Sequence, residues 1–306
     1  MTPDLTIAQA LVISDAAGPR VVARSDDFPF AWEEAARTAA VRFGRRPPGI
    51  TCPAALFACP VGRSHVAVVQ VADQPQAEGE KRRGGEEETE PAAHSSSPPL
   101  LFSPSPPLAF RFLVLTRRLY EALGDPFAVA DRFSPNWSAK ESLPTLEWEG
   151  GPLPRRTVEQ LQAVLKGGDT ALLLGGTQAL IDGGRLMIES ATPADELFRG
   201  LWQLLPERTR FELWPATLAF SNELGFHAVA LPAAPEPWPM GYLTADQARD
   251  YPEGRYELAL QTAVEAGNQA DLDRLLARRS SRDTLRLAMY MVIAAVAVAL
   301  AAKVLT

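Results

Sequence analysis

The sequence predicts an α+β fold: two mixed α/β lobes followed by a helical stalk and a C-terminal transmembrane helix. Three observations predict it. Short apolar runs recur between turns marked by Gly, Pro and Asp, the pattern of strands. Between them stand segments with apolar residues three and four positions apart, the pattern of amphipathic helices. Near the C-terminus an uncharged run approaches the length of a bilayer core.

Residues 1–72 and 108–133 make up the first predicted lobe. Leu5–Ser14 and Val21–Ser25 read as strands across the turn Asp15-Ala16-Ala17-Gly18-Pro19. No basic segment precedes the first apolar run, so it reads as strand and not as a secretory leader. Trp32, Ala35, Ala36, Ala39, Ala40 and Phe43 follow at helical spacing, and Gly44 stands where helices commonly end. Ala54–Ala58 and His65–Val71 read as two strands over a turn at 60–64. Ala109–Thr116 reads as a further strand and Arg117–Leu123 as a short helix.

Residues 73–107 interrupt this lobe. They are rich in Glu, Pro, Ser and Gly and have too little apolar surface to offset their ordering entropy, which predicts a disordered insert. SSSPP and SPSPP favour polyproline II, the form that proline-recognising domains bind. A tolerated loop expansion is the plainer reading and is preferred.

Residues 134–156 are crowded with Pro and Gly and read as a linker to a second lobe at 157–250. Thr157-Val158-Glu159-Gln160 is a capping box, opening a helix with Val158, Leu161 and Leu165 on one face and Gly167-Gly168 at its end. Thr192, with Pro193, Asp195 and Glu196 behind it, reads as the cap of another helix. Leu197, Leu201, Leu204 and Leu205 would form its inner face, and Pro206 would end it. Leu186–Glu189, Arg210–Leu213, Thr217–Phe220 and His227–Leu231 read as strands.

Residues 251–283 hold a helix pair, Arg255–Ala266 and Ala270–Arg279, broken at Gly267-Asn268. LQTAVEAGNQADLDRLLARR resembles the helix pair of an ankyrin-type repeat. No second copy stands at the required period, so the pair reads as a stalk. Residues 285–305 read as the transmembrane helix. Leu287–Ala302 are sixteen residues without a charge, and Arg286 and Lys303 flank them where long cations reach the headgroups. Arg278, Arg279, Arg282 and Arg286 precede the span and Lys303 alone follows it. The positive-inside bias therefore predicts a single-pass, tail-anchored protein of the cell membrane with its N-terminal region in the cytoplasm.

Composition narrows the function. The chain carries 30 Lys+Arg against 37 Asp+Glu, a net charge of −7. The acidic insert and the basic C-terminal end cancel, leaving the acidity on the remainder. Such a body excludes sequence-independent nucleic-acid binding, which needs excess cations to displace counterions. Two cysteines exclude a disulfide scaffold and a four-thiolate zinc site.

Motifs for chemistry are few. Cys52-Pro53 and Cys59-Pro60 lack further ligands at metal spacing and read as buried residues at strand edges. GGTQALIDGG, Gly175–Gly184, lacks the Lys-Ser/Thr ending of a phosphate loop and reads as turn glycines flanking a short helix. No nucleophile elbow, HExxH helix or paired-carboxylate motif is present, and His227 reads as a strand histidine. No catalytic residue, metal or cofactor is therefore expected. The densest unusual segment is Leu201–Asn222, LWQLLPERTRFELWPATLAFSN. Trp202, Arg208, Arg210, Trp214 and Asn222 are the candidate ligand- or partner-binding residues, because tryptophan and arginine dominate binding surfaces. Arg208 and Arg210 would share a face if the segment were extended.

In this segment Leu201-Trp202, Leu205-Pro206, the Arg208/Arg210 pair and Ala216-Thr217-Leu218-Ala219-Phe220 resemble the bacterial GTPase-associated protein family, in its N-terminal and middle modules. VVARSDDF, the Trp32 helix and ALFACPVG are similar to that family's opening. The resemblance implies a non-enzymatic adaptor of mixed α/β lobes that works beside GTPases and effector domains. The apolar C-terminal run and the lack of GTPase or effector motifs depart from that pattern. The leading expectation is a tail-anchored binding or scaffold protein at the cytoplasmic membrane face. It would have a protein partner, a GTPase among the candidates, and none in nucleic acid. The alternative is a hydrolase or nucleotide-binding enzyme with its site in a cleft between the lobes.

Overall fold

The computed structural model describes residues 5–74, 106–137 and 142–277, with Met289 alone beyond them. β1 (Thr6–Asp15) and β2 (Gly18–Arg24) close into the predicted hairpin, with Gly18 at φ 108°. That left-handed conformation costs glycine little and any other residue more. α1 (Phe30–Arg42) follows and ends at Gly44, φ 100°. Glycine is required there twice over, since a Cβ would lie 2.6 Å from the backbone of Phe220 and Ser221. β3 (Ala55–Val61), β4 (His65–Asp73) and β5 (Leu108–Thr116) complete an antiparallel run in the order β3-β4-β5-β1-β2. The central strands are covered on both faces, which explains why they read as continuous apolar runs rather than alternations.

α2 (Arg117–Leu123) has the predicted bounds, with Thr116 capping its start and Gly124 in the left-handed conformation at its end. α3 (Pro126–Arg132) begins at Asp125, whose carboxylate accepts from the Phe127 and Ala128 amides. β6 (Leu146–Glu147) then pairs with the start of β1.

The C-terminal part continues with α4 (Val158–Gly167), whose capping box between Thr157 and Gln160 is fully formed, and α5 (Thr170–Ile181). Next come β7 (Arg185–Glu189), α6 (Asp195–Leu204), α7 (Glu207–Arg210), β8 (Pro215–Ala216) and β9 (Ala228–Leu231). β10 (Tyr242–Leu243), α8 (Ala245–Arg249), α9 (Arg255–Glu265) and α10 (Gln269–Leu276) complete the described chain. β10, β7, β9 and β8 are parallel neighbours. β8 then meets β3 antiparallel at the pair Phe57–Ala216, so the ten strands of the described residues make one mixed sheet. Beside that pair the Thr217 amide donates to the Leu56 carbonyl at 2.8 Å, and the Leu56 amide donates to Thr217 Oγ1 at 2.9 Å. The two predicted lobes are thus two halves of one sheet.

One sheet face is covered by α2 to α6 and α9, through residues such as Tyr120, Phe127, Leu161, Leu173, Leu201 and Tyr256. The other is covered by α1 and by the loop that follows β8.

Several expectations need correction. Residues 134–156 are not a free linker in their described part, because Leu143 and Trp148 are buried and β6 joins the sheet. The expected stalk is part of the body. Tyr256, Leu260, Val264, Leu272 and Leu276 of α9 and α10 belong to the main core, so this pair buries its inner face against its own protein. Gly175 and Gly176 are not turn residues but lie within α5, where they admit close neighbours. Arg210–Leu213 is not a strand, because Arg210 ends α7 and the Glu212 and Leu213 amides donate back to the Thr209 and Arg210 carbonyls in the turn that follows. α6 starts at Asp195 with Ala194 at its cap; Thr192 instead belongs to the preceding turn, its carbonyl accepting from Ser190 Oγ. Most of the 73–107 insert, and the 285–305 span apart from Met289, lie outside the described residues. Among the described residues no helix is long and apolar enough to cross a membrane.

Candidate functional site

The five candidate binding residues do not gather on one surface. Trp202, on α6, is fully buried and packs edge-on to Phe127, with ring centroids 6.0 Å apart. Trp214 is half-buried and stacks on the buried Tyr120 at 5.9 Å. Asn222 accepts from the Phe226 amide at 3.1 Å, closing the turn ahead of β9. Because α7 is helical, residues two apart point different ways. Arg208 is exposed, while Arg210 turns inward and is 6% exposed.

Arg210 builds a buried polar cluster. Its Nη1 lies 3.3 Å from the carboxylate of Asp125, the residue that caps α3. Arg156, just ahead of α4, donates from Nη1 to the carbonyls of Gln203 and Leu205 at 2.7 and 2.6 Å. It thereby places a cation at the C-terminal end of α6, where the helix dipole favours one. Burial pulls the Arg156 guanidinium down to about 10, and the neighbouring charge of Arg210 acts in the same direction. Burial, reinforced by Asp125, holds the Tyr120 phenol well above its ordinary value. Tyr120 Oη, Trp202 Nε1 and Arg210 Nε are buried without a hydrogen-bond partner. The cluster therefore acts as a latch joining α3, α6, α7 and the segment before α4.

A second buried cation lies within the sheet. Arg111, at the centre of β5, donates to Gln9 Oε1 through Nε (3.1 Å) and Nη2 (2.9 Å), and to Gln70 Oε1 through Nη1 (3.2 Å). Nη1 also reaches the Phe133 and Ser134 carbonyls at 2.7 and 2.8 Å. Among the described residues only neutral oxygens contact it, and burial lowers it to about 10. Gln70 pairs with Arg111 across β4 and β5, and Gln9 lies on β1, so three neighbouring strands direct polar groups at one point. An Arg within an apolar strand run was the available signal.

Two clefts remain. One, of about 330 Å³, lies between the flank of α1 and the sheet. The other, of about 510 Å³, lies at the carboxyl ends of β7 and β10 and is lined by Glu189, Glu236, Trp238, Thr244 and Asp246. In parallel sheets this end is the usual ligand position. Neither cleft is lined by Arg208, Arg210, Asn222 or His227. His227 accepts from the Trp214 amide through Nδ1 at 3.1 Å, which ties its ring to the start of β9. Cys52 and Cys59 are free buried thiols, both pushed up to about 12 chiefly by burial, and neither is primed as a nucleophile. Among the described residues no three His, Cys, Asp or Glu side chains gather as a metal site.

Compared with protein-family models, curated proteins and solved structures, the chain has no match.

Proposed function

We propose that this protein is a binding or scaffold protein held at the cytoplasmic face of a membrane by its C-terminal segment. The observation that carries this reading is the uncharged run 287–302 beside four arginines at 278, 279, 282 and 286. About 20 apolar residues span a hydrocarbon core, and juxtamembrane cations are worth about 1 kcal/mol each toward anionic headgroups. The acidic remainder favours a partner that presents basic groups. A GTPase is the partner suggested by the resemblance of Leu201–Phe220 and Val21–Phe28 to GTPase-associated proteins. The test is fractionation of cells expressing the full chain or a chain ended before Arg282. The full chain is expected in the membrane fraction and the shortened chain in the soluble fraction. Equal membrane retention of both would overturn the anchor. Capture from gently solubilised membranes that repeatedly returned no partner would count against the scaffold role.

A hydrolase is the second reading, supported by the carboxylates Glu189, Glu236 and Asp246 around the cleft at the strand ends. Three carboxylates repel phosphate groups, so the same cleft speaks against a nucleotide ligand.

A further inference from the structure

We propose that the cleft beside α1 is a binding site for a single-chain anionic amphiphile, its apolar body between α1 and the sheet and its head at Arg42. The argument starts from how the two sheet faces are covered. One face carries several helices, whereas the other has α1 and the loop after β8. On the side of α1 that borders the cleft, Ala31, Ala35 and Ala39 present methyl groups only. Such short side chains leave the space above Phe112 and Val114 unfilled, and about 330 Å³ remains. At about 30 Å³ for each water-sized group, this space takes a body of roughly eleven heavy atoms.

The mouth determines the head group. Glu34, Thr38 and Arg42 border the cleft at four-residue spacing, along one stripe of the helix. Glu34 is committed to Arg37, 3.3 Å from its Nε. Among the described residues no carboxylate pairs with Arg42. The mouth therefore offers a guanidinium and the Thr38 hydroxyl to a ligand, and these suit an anion. The wall opposite α1 includes Leu224, from the loop whose Ser221 donates to the Arg42 carbonyl at 2.6 Å. Arg42 is thus anchored through its backbone while its side chain remains available. This inference is independent of the membrane-anchor reading, since it concerns residues far from the C-terminal run in sequence.

The test is calorimetric titration of the full chain in lipid nanodiscs with octanoate, octanol and octylamine, using empty nanodiscs as the blank. Octanoate is expected to bind at least about tenfold more tightly than octanol, with octylamine weakest. R42Q is expected to remove the advantage of octanoate and leave octanol unchanged. A35L fills the apolar part of the cleft from an exposed position, so it should fold normally and lose binding of all three. If wild type binds none of them, or if A35L binds as wild type does, the site is wrong. If octanoate and octanol bind equally to wild type, the anionic head is wrong.

Discussion

The two halves of the sheet are held together by different means. In the antiparallel half the strands other than the two-residue β6 run seven to ten residues and pair along most of their length. In the parallel half they run two to five residues, and Phe57–Ala216 is the register pair by which that half joins the other. Backbone ladders can order the first half; the second has few and must be ordered by helices packed on it. The glycines agree with this. A Cβ on Gly200 would lie 2.8 Å from Leu173, and one on Gly176 would lie 3.2 Å from Leu186 and Leu201. α5, α6 and β7 approach so closely that side chains had to be omitted. Each half holds a buried cation, Arg111 among neutral oxygens in the long half and Arg210 beside the Asp125 carboxylate in the short one, and the short half adds bare backbone where its helices close.

The largest effect should come from removing the polar pin of the long half. R111M leaves Gln9 Oε1, Gln70 Oε1 and the Phe133 and Ser134 carbonyls without their shared donor. Each buried orphan costs about 1–3 kcal/mol and relaxation recovers part, so a loss of about 3–5 kcal/mol is expected in urea unfolding. Amide hydrogen exchange should accelerate in β1, β4 and β5 first. Equal acceleration in β7 and β9 would show that the halves unfold as one unit and would remove the distinction drawn above.

A smaller loss should follow from G175A in the short half. The new methyl would meet the Ala248 carbonyl oxygen of α8, a backbone atom that cannot rotate away. The helix gains about 1 kcal/mol in propensity, which offsets part of the strain, and a net loss of about 2–3 kcal/mol is expected. The exchange signature should be confined to α5, α8 and β7. A stabilised variant would mean that α8 shifts freely and that close packing is not what orders this half.

This contrast also explains what the sequence revealed. The hairpin at Asp15–Gly18, the strands from Ala55 to Thr116, the helix Arg117–Leu123 and the Thr157 capping box are fixed by local signals: turn residues, apolar runs and caps. α5 was obscured because Leu172, Leu173 and Leu174 stand next to a Gly pair and its middle is buried on all sides, so no amphipathic stripe showed. β8 and β10 are two residues long and have no signature of their own. Arg210-Phe211-Glu212-Leu213 alternates polar and apolar residues as a strand does, and only Pro206 hints that the one-turn α7 ends there instead. The candidate binding residues scatter for a related reason. Trp202 and Arg210 are unusual residue types, but composition cannot say which way they face. The Asp125-Pro126 cap, legible in hindsight, would have shown where the carboxylate for Arg210 stands.

The smallest expected effect tests the surface of the short half. Asp169 caps α5 by accepting from the Leu172 amide at 3.1 Å, and Arg249 of α8 donates to it at 2.8 Å. The Arg249 hydrogen bond, followed by that amide, holds the Asp169 carboxyl below its usual range. A carboxylate whose folded pKa is lowered stabilises the fold above the ordinary carboxylate range and loses that contribution as the pH falls through the folded value. D169N keeps a side-chain oxygen for the cap and loses only the charge. Both partners of this ion pair are well exposed, so solvent and salt screen it and the loss at neutral pH should be slight. Urea midpoints of wild type and D169N should therefore differ a little at pH 7, converge as the pH drops below the carboxylate range, and converge as well in high salt. A gap that persisted at low pH would mean that the cap, rather than the link to α8, is what the aspartate contributes. The parallel half would then be ordered helix by helix instead of by contacts between helices.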